Sequence, residues 1–240
     1  MLAPLLAAAA PAAAQIGYSG SVTFVRSRAT DGVRSDAVYV FNGVDVPIGP
    51  VRASVTVPWI AQQTLLFTDA STTAAGSQWV RGLGDVFVRA EVPITRRLSP
   101  VSAAVSGAVK FPTADADRGL GSGEVDVTFG VTVSATRGRH LVLTDVSYWM
   151  LGDSPEFEVR SVPALYVGYG VVLGREYRWT ATVAVASSAS IVEGYAAPTQ
   201  LSVGVLRVMR SGAALGMNIG IGLTDTTAAF TVGTSWRLVF

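Results

Sequence analysis

The chain contains no cysteine. That excludes disulfides, thiol nucleophiles and cysteine metal sites. Histidine occurs once, as His140, so no zinc-type spacing of ligands exists. Charged residues make up only 15% of the 240 residues, and the formal net charge is +1. Without a basic block there is no electrostatic footprint for nucleic acid, which is not expected as a partner. Long apolar runs are missing too. Past the extreme N-terminus, no stretch approaches the ~18–20 apolar residues that a membrane-spanning helix needs. Yet half of the residues are hydrophobic, and the mean hydropathy is +0.43. High hydropathy without a helical span points to strands. The 25 glycines are spread along the chain, as many short strands and tight turns require.

What is present is alternation. At the C-terminus, Phe230, Val232, Thr234, Trp236, Leu238 and Phe240 fall on one face, and Thr231, Gly233, Ser235 and Arg237 on the other. Period 2 puts one face in an apolar medium and the other in a polar one. The same pattern sets Val125, Val127, Phe129, Val131 and Val133 against Glu124, Asp126, Thr128, Gly130 and Thr132. It recurs with Leu215, Met217, Ile219 and Ile221 against Gly216, Asn218, Gly220 and Gly222. Aromatic residues such as Tyr39, Phe41, Phe111, Tyr148, Trp149, Phe157, Tyr169, Tyr177, Trp179 and Trp236 fall near strand ends, where interfacial girdles are expected.

Residues 1–14 read as a secretory signal peptide, with an apolar stretch from Leu2 to Ala10 and an A-x-A type cleavage site at Ala12–Ala14. Residues 15–240 read as one domain of about twelve strands. The connections between them alternate in length. Most of the longer ones (58–81, 112–123, 151–156, 188–198) share one parity, and those of the other (43–47, 93–98, 136–139, 173–175, 209–212) are short. Long loops on one rim and short turns on the other are the pattern of outer-membrane barrels. The expected fold is therefore all-β, a transmembrane antiparallel up-and-down barrel in the bacterial outer membrane. The segment 58–81 reads as irregular, a constriction or lid.

Two stretches in the middle add a family resemblance. Gly82-Leu83-Gly84-Asp85 precedes Val109-Lys110-Phe111-Pro112-Thr113-Ala114-Asp115, and Leu120-Gly121-Ser122-Gly123-Glu124-Val125-Asp126 follows. This resembles the bacterial transporter-like barrels named for the meta pathway of phenol degradation. In that family a G-L-G-D step precedes a K-L-P-T-G-D and G-S-G-x-x-D hairpin. Ala114 stands where the family has glycine. The resemblance implies an outer-membrane barrel regarded as a transporter of aromatic compounds, and it assigns no active site.

No constellation for catalysis emerges, and the chain is expected not to be an enzyme. His140 falls beside Arg139 at a short turn and reads as a solvated turn histidine. Asp115-Ala116-Asp117-Arg118-Gly119 begins like a calcium loop but lacks the later ligands, including the bidentate glutamate. No metal or cofactor is implied. The candidate functional residues are instead charges on the polar face. The acidic ones are Asp85, Glu91, Glu124, Asp126, Asp145 and Glu158, and the basic ones Arg52, Arg89, Lys110, Arg160 and Arg178. Both signs interspersed on an inner face make an ion-pair network that tunes passage through a pore. The expected function is an outer-membrane channel for passive uptake of small solutes, aromatic or hydrophobic compounds among them. The alternative is a structural or adhesive barrel with a plugged lumen. Expected partners are outer-membrane lipid, lipopolysaccharide, a small-molecule solute and the barrel-assembly machinery, the last through the strand ending in Phe240.

Overall fold

The computed structural model describes residues 15–27, 35–67, 74–95, 99–153, 158–174, 176 and 178–240. The expected signal peptide, 1–14, lies outside them, as do Phe157 and Tyr177. The described residues form thirteen strands: β1 (Gly17–Arg26), β2 (Asp36–Ile48), β3 (Val51–Phe67), β4 (Ala74–Leu83), β5 (Val86–Pro93), β6 (Val101–Phe111), β7 (Asp126–Arg137), β8 (His140–Met150), β9 (Val162–Leu173), β10 (Trp179–Ser188), β11 (Thr199–Val208), β12 (Ala214–Gly222) and β13 (Phe230–Val239). All pairs are antiparallel, and the sheet closes on itself. The seam joins the chain ends: Ser21 of β1 lies opposite Phe41 of β2 on one side and Ser235 of β13 on the other.

Thirteen strands fill twelve positions, because β4 and β5 share one. β3 pairs with β5 through 52–56 and with β4 through 59–67. The shared strand is interrupted at Gly84-Asp85, where the Gly84 N–H still donates to the Pro58 carbonyl at 2.9 Å. This corrects the reading of 58–81 as irregular. β3 runs for seventeen residues, well past the ~9–11 that a tilted strand needs to cross lipid. Its far end therefore leaves the bilayer, and both faces there, Gln62, Gln63 and Thr64, are polar. The run of polar residues on both faces there hides the period-2 signal. β2 likewise runs on to Ile48 through Asp45, which reads in sequence as a turn residue.

The register fixes the two faces. Val22, Val44, Val55, Val88, Val105, Val131, Val146, Leu165, Val183, Val203 and Ile219 all lie on one side of the wall, and each is more than a third exposed. This is the lipid-facing surface of a membrane barrel. The other side carries Ser54, Ala104, Ala108, Thr132, Ser202, Gly216, Gly220 and Gly222. Phe111, Tyr148, Tyr169, Trp179 and Trp236 face outward, as girdle residues should. Tyr39, Phe41 and Trp149 do not: each shares its face with the interior residues. Nearness to a strand end located them, but one residue of register decides the side. Every extensive strand contact is between neighbours in the wall, with no opposite strands pressed together.

Substituting Val203 by Arg places a cation on the lipid face near mid-strand, and about 2–4 kcal/mol of stability should be lost. The interior substitution Ser202→Arg should cost clearly less. Denaturant unfolding in lipid vesicles measures both; equal losses would contradict the face assignment.

Candidate functional site: the barrel interior and its mouth

The two stretches of the family resemblance meet at the long-loop rim. Lys110, the chain's one lysine, is the next-to-last residue of β6 and on the inner face, opposite Asp126 at the start of β7. Its Nζ lies 2.6 Å from Asp126 Oδ2 and 3.5 Å from Asp85 Oδ2, and it also donates to Ser122 Oγ. Asp85 accepts from the Ala114 N–H at 3.0 Å, and Asp126 from the Gly152 N–H at 3.0 Å. Asp85 is buried, at 6% exposed. A Cβ on Gly121 would fall 2.6 Å from both Asp85 oxygens, so only glycine permits this approach. One lysine thus ties the strand break to the loop 112–123 and to the start of the loop after β8. Buried carboxylates of this kind need a cation and backbone donors to offset desolvation.

The same loop lies inside the mouth. Gln62, on the inner face of β3, donates to the Gly119 carbonyl at 2.7 Å. Leu120, 3% exposed, packs over the bare inner face of Gly82. Arg118 donates to the Arg81 carbonyl at 3.2 Å. The loop's left-handed turn is made by Gly119, with φ of 71°. Asp115 does not gather acidic partners; its side chain accepts from the Arg118 N–H at 3.2 Å. Among the described residues no group of three or more metal-ligating side chains occurs. The inward element at the mouth is therefore 112–123 rather than the described part of 58–81.

Deeper in, three further groups of charge line the inner face. Arg89 and Glu91 pair at 3.1 Å along β5. Asp145 accepts from Thr132 Oγ1 at 2.6 Å across β7 and β8. Near the short-turn rim, Asp45 accepts from Arg237 at 2.9 Å, with Arg52 3.9 Å away. This last pair links β2 to β13 across β1, and Asp45 is only 8% exposed. Gly17 of β1 leaves the space it occupies: a Cβ there would lie 2.3 Å from Asp45 Oδ1. Sequence reasoning put Arg52 and Arg237 on the polar face but read Asp45 as a turn residue and so missed their pairing with it. Asp45 is near the end of β2 and Arg237 near the end of β13, and no local sequence pattern links them.

The remaining candidates lie at the rims. Glu124 precedes β7, and Glu158 and Arg160 sit in the connection before β9. Arg160 donates to the Ser190 carbonyl at 2.9 Å, which fastens one long loop to the next. Arg178 precedes β10 and pairs with Glu176 at 3.2 Å. His140 is no free turn residue. It faces outward, stacks on Tyr169 with ring centroids 5.9 Å apart, and holds Nδ1 2.5 Å from the tyrosine oxygen.

The interior also has an apolar side. Leu143, Tyr166 and Ala184 form a buried cluster with Ala186 on the inner face of β8, β9 and β10. Tyr39 and Phe41 stack at 6.3 Å on the inner face of β2. Phe87 also faces in, yet it stays 36% exposed. The inward side chains of Arg52 and Arg89 keep 38% and 43% exposure. Inward groups that remain this accessible border an open space.

Replacing Lys110 by Met removes the cation shared by two carboxylates. The loss should be about 3–5 kcal/mol, as when one partner of a buried pair is removed. Limited proteolysis should then cut within 112–123 much faster than in the unaltered protein. Unchanged cleavage would contradict the role of Lys110 in holding the loop.

No family model matches the chain, and no curated protein matches it. Among solved structures, an outer membrane channel from Pseudomonas putida F1 is similar over 100% of both chains, with a TM-score of 0.77 and 11% identity. The beta domain of the Bordetella autotransporter Brka is similar over 95% of this chain and 100% of its own, with a TM-score of 0.59 and 11% identity. The translocator domain of the autotransporter NalP from Neisseria meningitidis is similar over 98% of this chain and 90% of its own, with a TM-score of 0.55 and 9% identity. At such identities the likeness is one of fold: this chain is built as a twelve-position β-barrel of the outer-membrane type.

Proposed function

We propose that this protein is a channel of the bacterial outer membrane that passes small solutes passively, aromatic or hydrophobic compounds among them. The observation that carries the reading is the exposure of inward side chains at several levels of the wall: Phe87 beside Lys110 near the mouth, Arg89 below it and Arg52 near the short-turn rim each keep more than a third of their surface open. A closed wall with lipid-facing apolar residues outside and exposed charges inside is suited to a water-containing passage. The residues proposed to line it are Arg52, Arg89, Glu91 and Asp145 along the wall. Asp85, Lys110, Glu124 and Asp126 would act at the outer mouth with Glu158 and Arg160, and Arg178 at the inner rim.

Support for aromatic solutes comes from the inner rings of Tyr39, Phe41 and Phe87, which offer flat apolar surface. It also comes from the resemblance to the phenol meta-pathway barrels, whose motif residues form the mouth. The fold shared with the Pseudomonas putida channel is in keeping with this reading. In the proposed orientation the long loops are extracellular and meet lipopolysaccharide, and the short turns are periplasmic. Residues 1–14 would direct export, and the strand ending in Phe240 would engage the assembly machinery. No catalytic step is part of this function.

One observation favours a second reading. The loop 112–123 lies on the inner side of β3 and β4, with Leu120 buried there, so a barrel plugged at its mouth would serve structure or adhesion. Planar-bilayer recording of the purified, folded protein separates the two. Discrete conductance steps are expected, with a heat-denatured control silent. Glu91→Gln should shift the reversal potential toward anions in a salt gradient. Silence from folded protein would overturn the channel reading and leave the plugged one.

A further inference from the structure

The lipid-facing wall should carry no charge within the bilayer, since an arginine there costs about 2–4 kcal/mol at mid-depth and about 0–1 kcal/mol near the interfaces. Arg207 is a charge on that wall at its edge, where the cost is small. It lies on the outer face of β11, opposite Trp179 of β10 and Leu215 of β12. Both neighbours are outward and exposed, at 43% and 49%. Arg207 is one residue from the end of its strand, at the short-turn rim. Its guanidinium lies over the Trp179 ring, 5.0 Å from the centroid. Among the described residues it has no carboxylate partner.

Around it the rim is basic. Arg178 and Arg210 both reach one carboxylate, that of Glu176, at 3.2 and 3.7 Å. Arg137 and Arg139 stand at the neighbouring turn, whose Arg139 carbonyl accepts from the Val172 N–H of β9. Leu173, Gly174, Glu176, Arg178, Trp179 and Arg207 enclose a groove of about 200 Å³ that opens outward at this level. The other rim has a superficially similar pair, Arg26 over the Phe24 ring at 5.5 Å. There the arginine is already neutralised by Asp36 at 2.9 Å. Of the outward arginines without a carboxylate partner among the described residues, Arg137 and Arg207 are at the short-turn rim and Arg81 is on β4 at the other, and only Arg207 lies over an aromatic ring.

We infer that this groove is a headgroup site for an anionic phospholipid of the short-turn leaflet, with Arg207 holding the phosphate and Trp179 bracing the guanidinium. The chemistry fits. A guanidinium forks onto phosphate oxygens through two parallel hydrogen bonds. A tryptophan at the headgroup level holds such a cation by its π face while its apolar edge meets acyl chains. Leu173 and Leu215 supply further apolar contact for those chains. The inference rests on the barrel lying in a bilayer, and it is independent of whether solutes pass through the lumen.

The test begins with insertion of the folded protein into phosphatidylcholine vesicles, which checks the bilayer placement by itself. The protein is then taken into detergent and mixed with equal amounts of phosphatidylglycerol and phosphatidylcholine. Native mass spectrometry counts the lipids retained. Phosphatidylglycerol should be preferred, and Arg207→Gln should reduce that preference by about threefold, in keeping with one partly exposed ion pair. Arg81→Gln, the same charge change at the other rim, should leave the preference intact. The unaltered protein gives a second readout: the preference should vanish in about 1 M sodium chloride, where the Debye length is about 3 Å. Equal retention of the two lipids, or equal effects of the two substitutions, would overturn the site. So would displacement of the bound lipid by excess inorganic phosphate, which would mean that an anion alone is recognised.

Discussion

A backbone in hydrocarbon has no water to bond to, so every N–H and C=O in the wall must find a partner in a neighbouring strand. Closure satisfies that constraint, and here it depends on the first strand meeting the last. β1 pairs with β13 from Gly17 opposite Val239 to Arg26 opposite Phe230, and the Phe240 N–H donates to the Ile16 carbonyl at 3.0 Å. Asp45 and Arg237 brace the same seam from inside. Where the ladder is interrupted, at Gly84-Asp85, side chains take over. The Val86 N–H goes to Thr113 Oγ1 at 3.0 Å, and the Asp85 carboxylate collects a loop amide and the Lys110 ammonium. The family motif residues are the ones that repair the gap. Their place at a rim follows from that task.

Closure also sets the division between the two faces. Once the wall is complete, apolar side chains face lipid and the interior must be filled or left wet. Several inward side chains, Arg52, Phe87 and Arg89 among them, stay more than a third exposed. Glycine, alanine and serine keep much of its wall low, while the charged groups are paired with neighbours in the wall. Pairing neutralises them where they stand and leaves the centre free. Aromatic rings interrupt the inner face on β2, β5 and β9, on some of the strands that also carry its ion pairs.

Most of the architecture was legible because lipid imposes period 2 on every strand that crosses it. From β6 to β13, runs such as 125–133 and 215–221 identify both strand and face. The exceptions lie where lipid does not reach. β3 runs on well past the length that crosses lipid, and beyond Trp59 it and its partner β4 do not keep a strict apolar–polar alternation, so the segment reads as irregular. Tyr39, Phe41 and Trp149 show a second limit, since proximity to a rim says nothing about side. Of the candidate site, the pairing of Lys110 with Asp126 follows from hairpin register. The third member, Asp85, could be matched only through the family resemblance, because its partners lie some 25 residues away in sequence. Asp45 and Arg237 are at opposite ends of the chain, and only closure brings them together.

The central claim is a membrane-facing exterior around a wet interior. Because the chain has no cysteine, single cysteines can be placed along β7 without background. A membrane-impermeant thiol reagent, applied to the protein in lipid vesicles, should label cysteines at positions 128, 130 and 134. It should spare those at 129, 131 and 133, whose thiols lie in hydrocarbon where they do not ionise. Labelling with that alternation establishes both faces at once. Labelling of the odd positions, or of none, would contradict the account.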